Sequence, residues 1–220
     1  RPYQLAAVEQ VCADPRSTLL VAPTGAGKTY MLIKIIERLG LRAAWFVHRR
    51  ELVAQAEHHL RIAGLDVAVT TIQSAARPPA ELLILDEAHH FAAADWSTIL
   101  TDYPVAAVVG ATATPERSDG VALGGIFKRL VVAAHYSELI AGGYLVPARV
   151  FRPDERIRDG LATDTVGAYM EHGEGGAGFA YCSSVKGAYA LAEQFCTAGI
   201  PARCIEADTD KYDRDLTLLA

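Results

Sequence analysis

No apolar run in this 220-residue chain reaches the roughly 18–20 residues a membrane-spanning helix needs, so the sequence offers no membrane segment. No signal peptide opens it either. Cysteine is sparse: Cys12, Cys182, Cys196 and Cys204 form no C-x-x-C pair and no even framework, which points to a reduced, cytoplasmic setting. Methionine is scarcer still, with Met31 and Met170 alone, and the first residue is Arg1. The natural start is therefore expected upstream, and the chain is expected to be a fragment at one end or both. There is no large excess of charge. A net charge of −5 excludes a wholly basic nucleic-acid binder, though not a local basic groove. No internal repeat suggests a solenoid.

What the chain does have is apolar content, 51% of residues, enough to bury one good core and part of a second and to exclude disorder. Short β-rich runs alternate with longer helical patterns, which predicts an α/β fold with a parallel sheet wrapped by helices. Strands are expected at 18–22, 43–48, 67–72, 82–86, 105–112 and 129–134. Helices are expected at 28–39 and at about 50–62, the second stopped by Gly64. After Pro147 the pattern changes. Residues 152–178 hold six acidic groups, three arginines, a histidine and the run "GEGGAG", which reads as a linker. A further strand–helix–strand unit is expected at 179–183, 185–197 and 202–207.

The stretch "VAPTGAGKTY" (21–30) follows a strand and opens a helix, the context a phosphate loop requires. Residues Thr24, Gly25, Ala26, Gly27, Lys28 and Thr29 would turn backbone N–H groups around an anion at a helix N-terminus. Lys28 would reach the β- and γ-phosphates of ATP, and the Thr29 hydroxyl would hold Mg²⁺. Ala22 stands where the pattern expects its first glycine. The bland alternative is an ordinary glycine-rich turn.

"ELLILDEAHHF" (81–91) drives a buried strand into Asp86 and Glu87. A carboxylate at that position holds Mg²⁺ in phosphate-loop ATPases, and a second beside it can deprotonate the attacking water. This makes Lys28, Asp86 and Glu87 the catalytic candidates, with Thr29 and Asp86 on the metal. A zinc site built from Asp86, His89 and His90 is the rival, as is a solvated strand end; adjacent histidines seldom converge on one ion.

The motifs "APTGAGKT", "VHRRELVAQ" (47–55), "TIQS" (71–74), "DEAHH" (86–90) and "GATATPER" (110–117) stand in the order of the conserved motifs of superfamily 2 helicases. The chain resembles a DEAD/DEAH-box-type helicase of the branch that holds type III restriction enzyme helicase subunits and related phage DNA helicases. "TATPERSDG" (112–120) and "ELIAGGYLVP" (138–147) are similar to that branch too. The resemblance covers nearly all of 1–148 and, more weakly, 179–209. It implies a RecA-like ATP-binding domain (1–148), a linker (149–178) and the opening of a second RecA-like domain (179–220) that lacks motifs V and VI and their arginine finger.

The same resemblance assigns Arg1 and Gln4, in "RPYQ", to the adenine. It assigns His48, Arg49, Arg50, Thr71, Gln73 and Ser74 to the nucleic-acid backbone, and His89, Thr112 and Thr114 to coupling. No role falls to His90. With no aromatic stacking platform evident, binding is expected to be weakly sequence-specific. The implied activity is ATP-dependent movement along nucleic acid, DNA in preference to RNA, by a cytoplasmic or nucleoid-associated protein that needs ATP and Mg²⁺. The alternatives are a duplex-DNA motor subunit that does not unwind and a catalytically silent nucleotide-binding module.

Overall fold

The run Leu82-Leu83-Ile84-Leu85 is fully buried, which suits an interior strand of a sheet covered on both faces. The computed structural model describes residues 1–91, 98–99, 101–115, 123, 126–151, 164–210, 213–214 and 217. It divides into two units, Arg1–Pro147 and Ala148–Ala220.

In the first unit, strands β1 (Thr18–Val21), β2 (Ala43–Val47), β3 (Ala68–Thr71), β4 (Leu82–Asp86), β5 (Ala107–Thr112) and β6 (Arg129–Val132) form one sheet in the order β3-β2-β4-β5-β1-β6. Every pairing in it is parallel. All six expected strands are present, each within two residues of its expected ends. Helices α1 (Pro2–Ala13), α2 (Lys28–Leu39), α3 (Glu51–Ile62) and α4 (Tyr136–Ala141) belong to the same unit. Helix α3 ends where expected: the Leu65 N–H reaches back to the Leu60 carbonyl at 3.0 Å around Gly64.

Alternation along β4 explains why the sheet needs cover on both sides. Leu82 and Ile84 pack with Leu20, Met31, Ile35 and Trp45, beneath helices α1 to α3. Leu83 and Leu85 point the other way, into Leu19, Phe46, Phe91, Tyr103 and Phe127. Each of these four β4 side chains contributes roughly 1.5–3 kcal/mol by burial. Because the strands are parallel, their carboxyl ends share one edge. Strand β5 lies between β1 and β4, so that edge brings together Val21, Thr112 and Asp86. The register pairs Val21 with Thr112 and Asp86 with Ala111.

In the second unit, helix α5 (Thr165–His172) lies within the segment read as linker, capped by Asp164, which accepts the Gly167 N–H at 2.8 Å. Helix α6 (Val185–Thr197) forms as expected, its cap Ser184 accepting the Gly187 N–H at 3.1 Å. Tyr169 of α5 meets Phe195 of α6 edge to face, ring centroids 5.6 Å apart. The two strands expected at 179–183 and 202–207 do not form among the described residues. A parallel strand pair needs flanking strands to be stable, and without them Phe179 and Tyr181 stay exposed. Among the described residues no helix is long and apolar enough to cross a membrane.

Candidate nucleotide and nucleic-acid site

The loop from Pro23 to Gly27 leaves β1 and turns directly into α2. Its two turning points are Gly25 (φ 82°) and Gly27 (φ 85°), both in the left-handed region that favours glycine. A side chain there would also force its neighbours to shift. A Cβ on Gly27 would stand 2.5 Å from Gln4 Nε2, and one on Gly25 would stand 2.9 Å from Leu145 Cδ2. Ala22, in place of the pattern's first glycine, is fully buried and ties the loop to β5 through its N–H and the Thr112 carbonyl, 3.0 Å.

Gln4 and Tyr3 brace this loop. Gln4 Nε2 and the Tyr3 hydroxyl both donate to the Ala26 carbonyl at 2.8 Å. Gln4 is buried, so in this structure its amide holds the phosphate loop in shape. The Arg1 guanidinium lies over the Tyr144 ring, 4.9 Å from its centroid, and Tyr3 packs against the same ring at 5.4 Å. Tyr3, Tyr144 and Leu145 were not singled out from the sequence. Tyr3 sits inside "RPYQ" and Tyr144 and Leu145 inside "ELIAGGYLVP", so the motifs held them without showing the contact.

Across the sheet edge, Lys28 Nζ lies 3.5 Å from Glu87 Oε1. Glu87 Oε2 lies 3.6 Å from His89 Nδ1. Glu87 sits at φ 50°, a left-handed conformation costly for a residue with a side chain, and its N–H donates to Asp86 Oδ1 at 3.0 Å. That bend ends β4 abruptly and starts the short turn Ala88–His90. Asp86 is held at the edge with its acid pKa pushed up to about 6, first by burial and then by the Glu87 charge beside it. The Glu87 N–H, Lys28 and the Trp45 indole act in the opposite direction.

His89 links this acid pair to β5. The buried Thr112 hydroxyl donates to the Thr114 carbonyl (2.8 Å) and accepts the Thr114 N–H (3.0 Å). Its remaining lone pair faces His89 Nδ1 at 2.8 Å, which places the imidazole proton on Nδ1. The three residues expected to couple are thus in one hydrogen-bonded chain. Residues 116–117 of "GATATPER" lie outside the described residues.

The residues expected to meet a nucleic-acid backbone also converge. His48, Arg50, Thr71, Gln73 and Ser74 line one cavity of about 350 Å³ at the carboxyl ends of β2 and β3, together with Val53, Val69 and Thr70. Arg49 is exposed beside it and is not part of the lining. Arg77 fixes one wall by donating to the Ser74 carbonyl.

The metal candidates are hard oxygen donors, one hydroxyl and one carboxylate, and among the described residues no group of three histidine, cysteine or acidic side chains is arranged to hold a metal ion. That donor set suits a Mg²⁺ carried by phosphates rather than a zinc ion. A half-buried carboxylate as reluctant to ionise as Asp86 also gains from a nearby cation.

Comparison with known proteins gives a consistent picture. A "51.5 kDa protein" of a Lactococcus phage is 27% identical over 91% of this chain. A "DNA 3'-5' translocase XPB2" of Sulfurisphaera tokodaii is 31% identical over 54% of it. The chain spans 51% of the length of the first and 32% of the second. The Hef helicase domain of Pyrococcus furiosus shares the fold, with a TM-score of 0.50 and 21% identity over 60% of this chain and 37% of that one. Residues 1–71 and 61–117, more than half of the chain, match the family described as "Type III restriction enzyme, res subunit". With that match and the five ordered motifs, the chain belongs to the type III restriction enzyme res-subunit family, a branch of the superfamily 2 helicases.

Proposed function

We propose that this chain is the nucleotide-binding part of an ATP-driven motor that moves along nucleic acid, with DNA preferred over RNA. The observation that carries the reading is the Lys28–Glu87 pair, 3.5 Å apart, which faces the phosphate loop to the water-activating acid across one sheet edge. The DNA preference is supported by relatives such as the Sulfurisphaera DNA translocase, not by a residue that reads a base.

The N–H groups of the loop at Gly25 to Gly27 receive the ATP phosphates, aided by the N-terminus of α2. Lys28 leaves Glu87 for the phosphate oxygens, which frees the Glu87 carboxylate to accept a proton from the attacking water. Thr29 and Asp86 would hold Mg²⁺, whose contribution is to offset charge on the phosphate oxygens. His89, bonded to Thr112, feels any change at Glu87 and passes it to β5. The His48–Arg50–Thr71 cavity seats a phosphate–sugar backbone on the same edge. In this reading residues 179–220 open a second RecA-like domain after the 149–178 segment, although the strands expected at 179–183 and 202–207 do not form among the described residues.

The test is ATP turnover by the full-length protein with single-stranded DNA, duplex DNA and RNA in parallel. Lys28→Ala and Glu87→Gln should each lower stimulated turnover by about 10²-fold or more. Turnover that ignores every nucleic acid, or that survives Glu87→Gln, removes the reading.

A further inference from the structure

His90 has no part in the chemistry above, yet its position is specific. The residue is exposed, and among the described residues its ring meets two other imidazoles. The His48 centroid is 4.1 Å away at an interplanar angle of 33°, and the His89 centroid is 3.9 Å away at 41°. Three tilted rings from two separate strand ends therefore form one continuous run of contacts, here called the stack. One end of it lines the cavity through His48. The other end is His89, bonded to Thr112 and 3.6 Å from Glu87.

We propose that His90 is a positioning residue, whose ring carries occupancy of the His48–Arg50–Thr71 cavity to the Glu87–His89–Thr112 centre. The inference rests on reading the cavity as the seat of a nucleic-acid backbone and Glu87 as the water-activating base.

Two observations make the stack suited to this. First, His48 Nδ1 is buried and has no hydrogen-bond partner among the described residues. A ring with an unsatisfied buried nitrogen gains by turning once a phosphate or ribose offers it a partner. Such a turn cannot leave His90 in place, because the two rings touch. Second, burial pushes the pKa values of His48 and His89 below the ordinary imidazole range, each with His90 as the next contributor. Glu87 opposes the shift at both rings, while Arg49 and His89 add to it at His48 and Lys28 adds to it at His89. Near neutral pH the end rings are therefore uncharged and can lie against their neighbour without repulsion.

A backbone ligand on the β2–β3 side and ATP on the β1–β4 side thus have a contact path one residue wide. Packed contacts of this kind modulate coupling between sites without touching either ligand. His89 is the rigid end of the path, because Thr112 fixes its tautomer and its tilt. His90 is the only ring that touches both others among the described residues.

The experiment compares wild-type full-length protein with His90→Ala and His90→Phe. For each, ATP turnover is measured without nucleic acid and with saturating single-stranded and duplex DNA, and affinity for a fluorescein-labelled DNA is measured by anisotropy. Because His90 is exposed, His90→Ala should fold normally. Its ratio of stimulated to unstimulated turnover should fall about five-fold or more, with DNA affinity changed less than about two-fold. His90→Phe, which restores a flat ring, should recover most of the ratio. A wild-type protein that no nucleic acid stimulates would overturn the functional reading and this inference with it. A stimulated wild type whose His90→Ala variant keeps its ratio overturns the inference alone. So does an equal loss of DNA affinity, which would make His90 a binding residue, or a failure of His90→Phe to recover the ratio.

Discussion

Replacing Asp86 by Asn should stabilise the nucleotide-free protein while weakening the proposed Mg²⁺-dependent binding of ATP, and the size of the gain follows from the site. Asp86 would titrate near 3.8 in an unfolded chain and near 6 in this fold, held up by burial and by Glu87. A folded-state value above the unfolded one means the folded protein pays to keep the group ionised. That displacement corresponds to about 3 kcal/mol, an upper figure because the carboxylate keeps some contact with water. The cost is present in full above pH 6, shrinks as the pH falls through 6, and is gone below 3.8. Asn keeps an oxygen for the Glu87 N–H and carries no charge. Urea unfolding without nucleotide and with a chelator should therefore show Asp86→Asn more stable by about 1–3 kcal/mol at pH 8, the difference closing toward pH 4.5. In the same samples, Mg²⁺-dependent binding of ATP should fall at least about ten-fold. A variant less stable than wild type at pH 8, or a difference that does not vary with pH, would refute the electrostatic account of this residue.

Three further outcomes follow from the geometry. Gly110→Ala puts a Cβ 2.3 Å from Phe127 Cζ and 3.1 Å from Leu19 Cδ1 in the middle of β5, and should cost about 1–3 kcal/mol in urea unfolding. Thr112→Val keeps the shape of a fully buried side chain but leaves the Thr114 N–H and His89 Nδ1 without their acceptor. It should lower stability by about 1–3 kcal/mol and change the His89 ring resonances in NMR spectra. Gly27→Ala meets both a φ of 85° and Gln4 Nε2 at 2.5 Å. Loss of nucleotide affinity in calorimetry is expected, larger than for Ala26→Gly in the same loop, and equal effects would contradict the strain argument.

Most of the sheet was legible because its strands announce themselves by what surrounds them. "LLIL" could only be an interior strand, and the apolar runs at 18–22, 43–48 and 105–112 repeat the same logic. Strand order was not legible. That β5 lies between β1 and β4 depends on which helices cross which face, and only this order brings Ala22 against Thr112. The second unit failed for a related reason. "FAYCS" and "ARCIEA" have strand composition, but composition supplies no neighbour, and a strand exists only as part of a ladder. Residues 165–172 failed in the opposite sense, since the glycine and charge content of the surrounding 152–178 hid a helix that Asp164 caps.

The candidate site divides along the same line. Lys28, Asp86, Glu87, His89 and Thr112 were readable because each belongs to a motif whose chemistry fixes its residue types. What no motif carries is how one side chain leans on another. Gln4 was expected to read adenine and is found donating to the phosphate loop, because the loop's Ala26 carbonyl is the acceptor its buried amide can reach. Glu87 reaches Lys28 and His89 at once because its backbone bends to φ 50°. Extended backbone there would aim its side chain elsewhere. The same bend puts His89 and His90 on a short turn, where their ring centroids lie 3.9 Å apart, and His48 arrives beside them from the end of β2. In sequence, forty residues separate His48 from His89, and the doubled histidine reads as a metal motif or as redundancy. In the fold, two parallel strands end side by side, and the doubled histidine becomes the step that closes the gap between them.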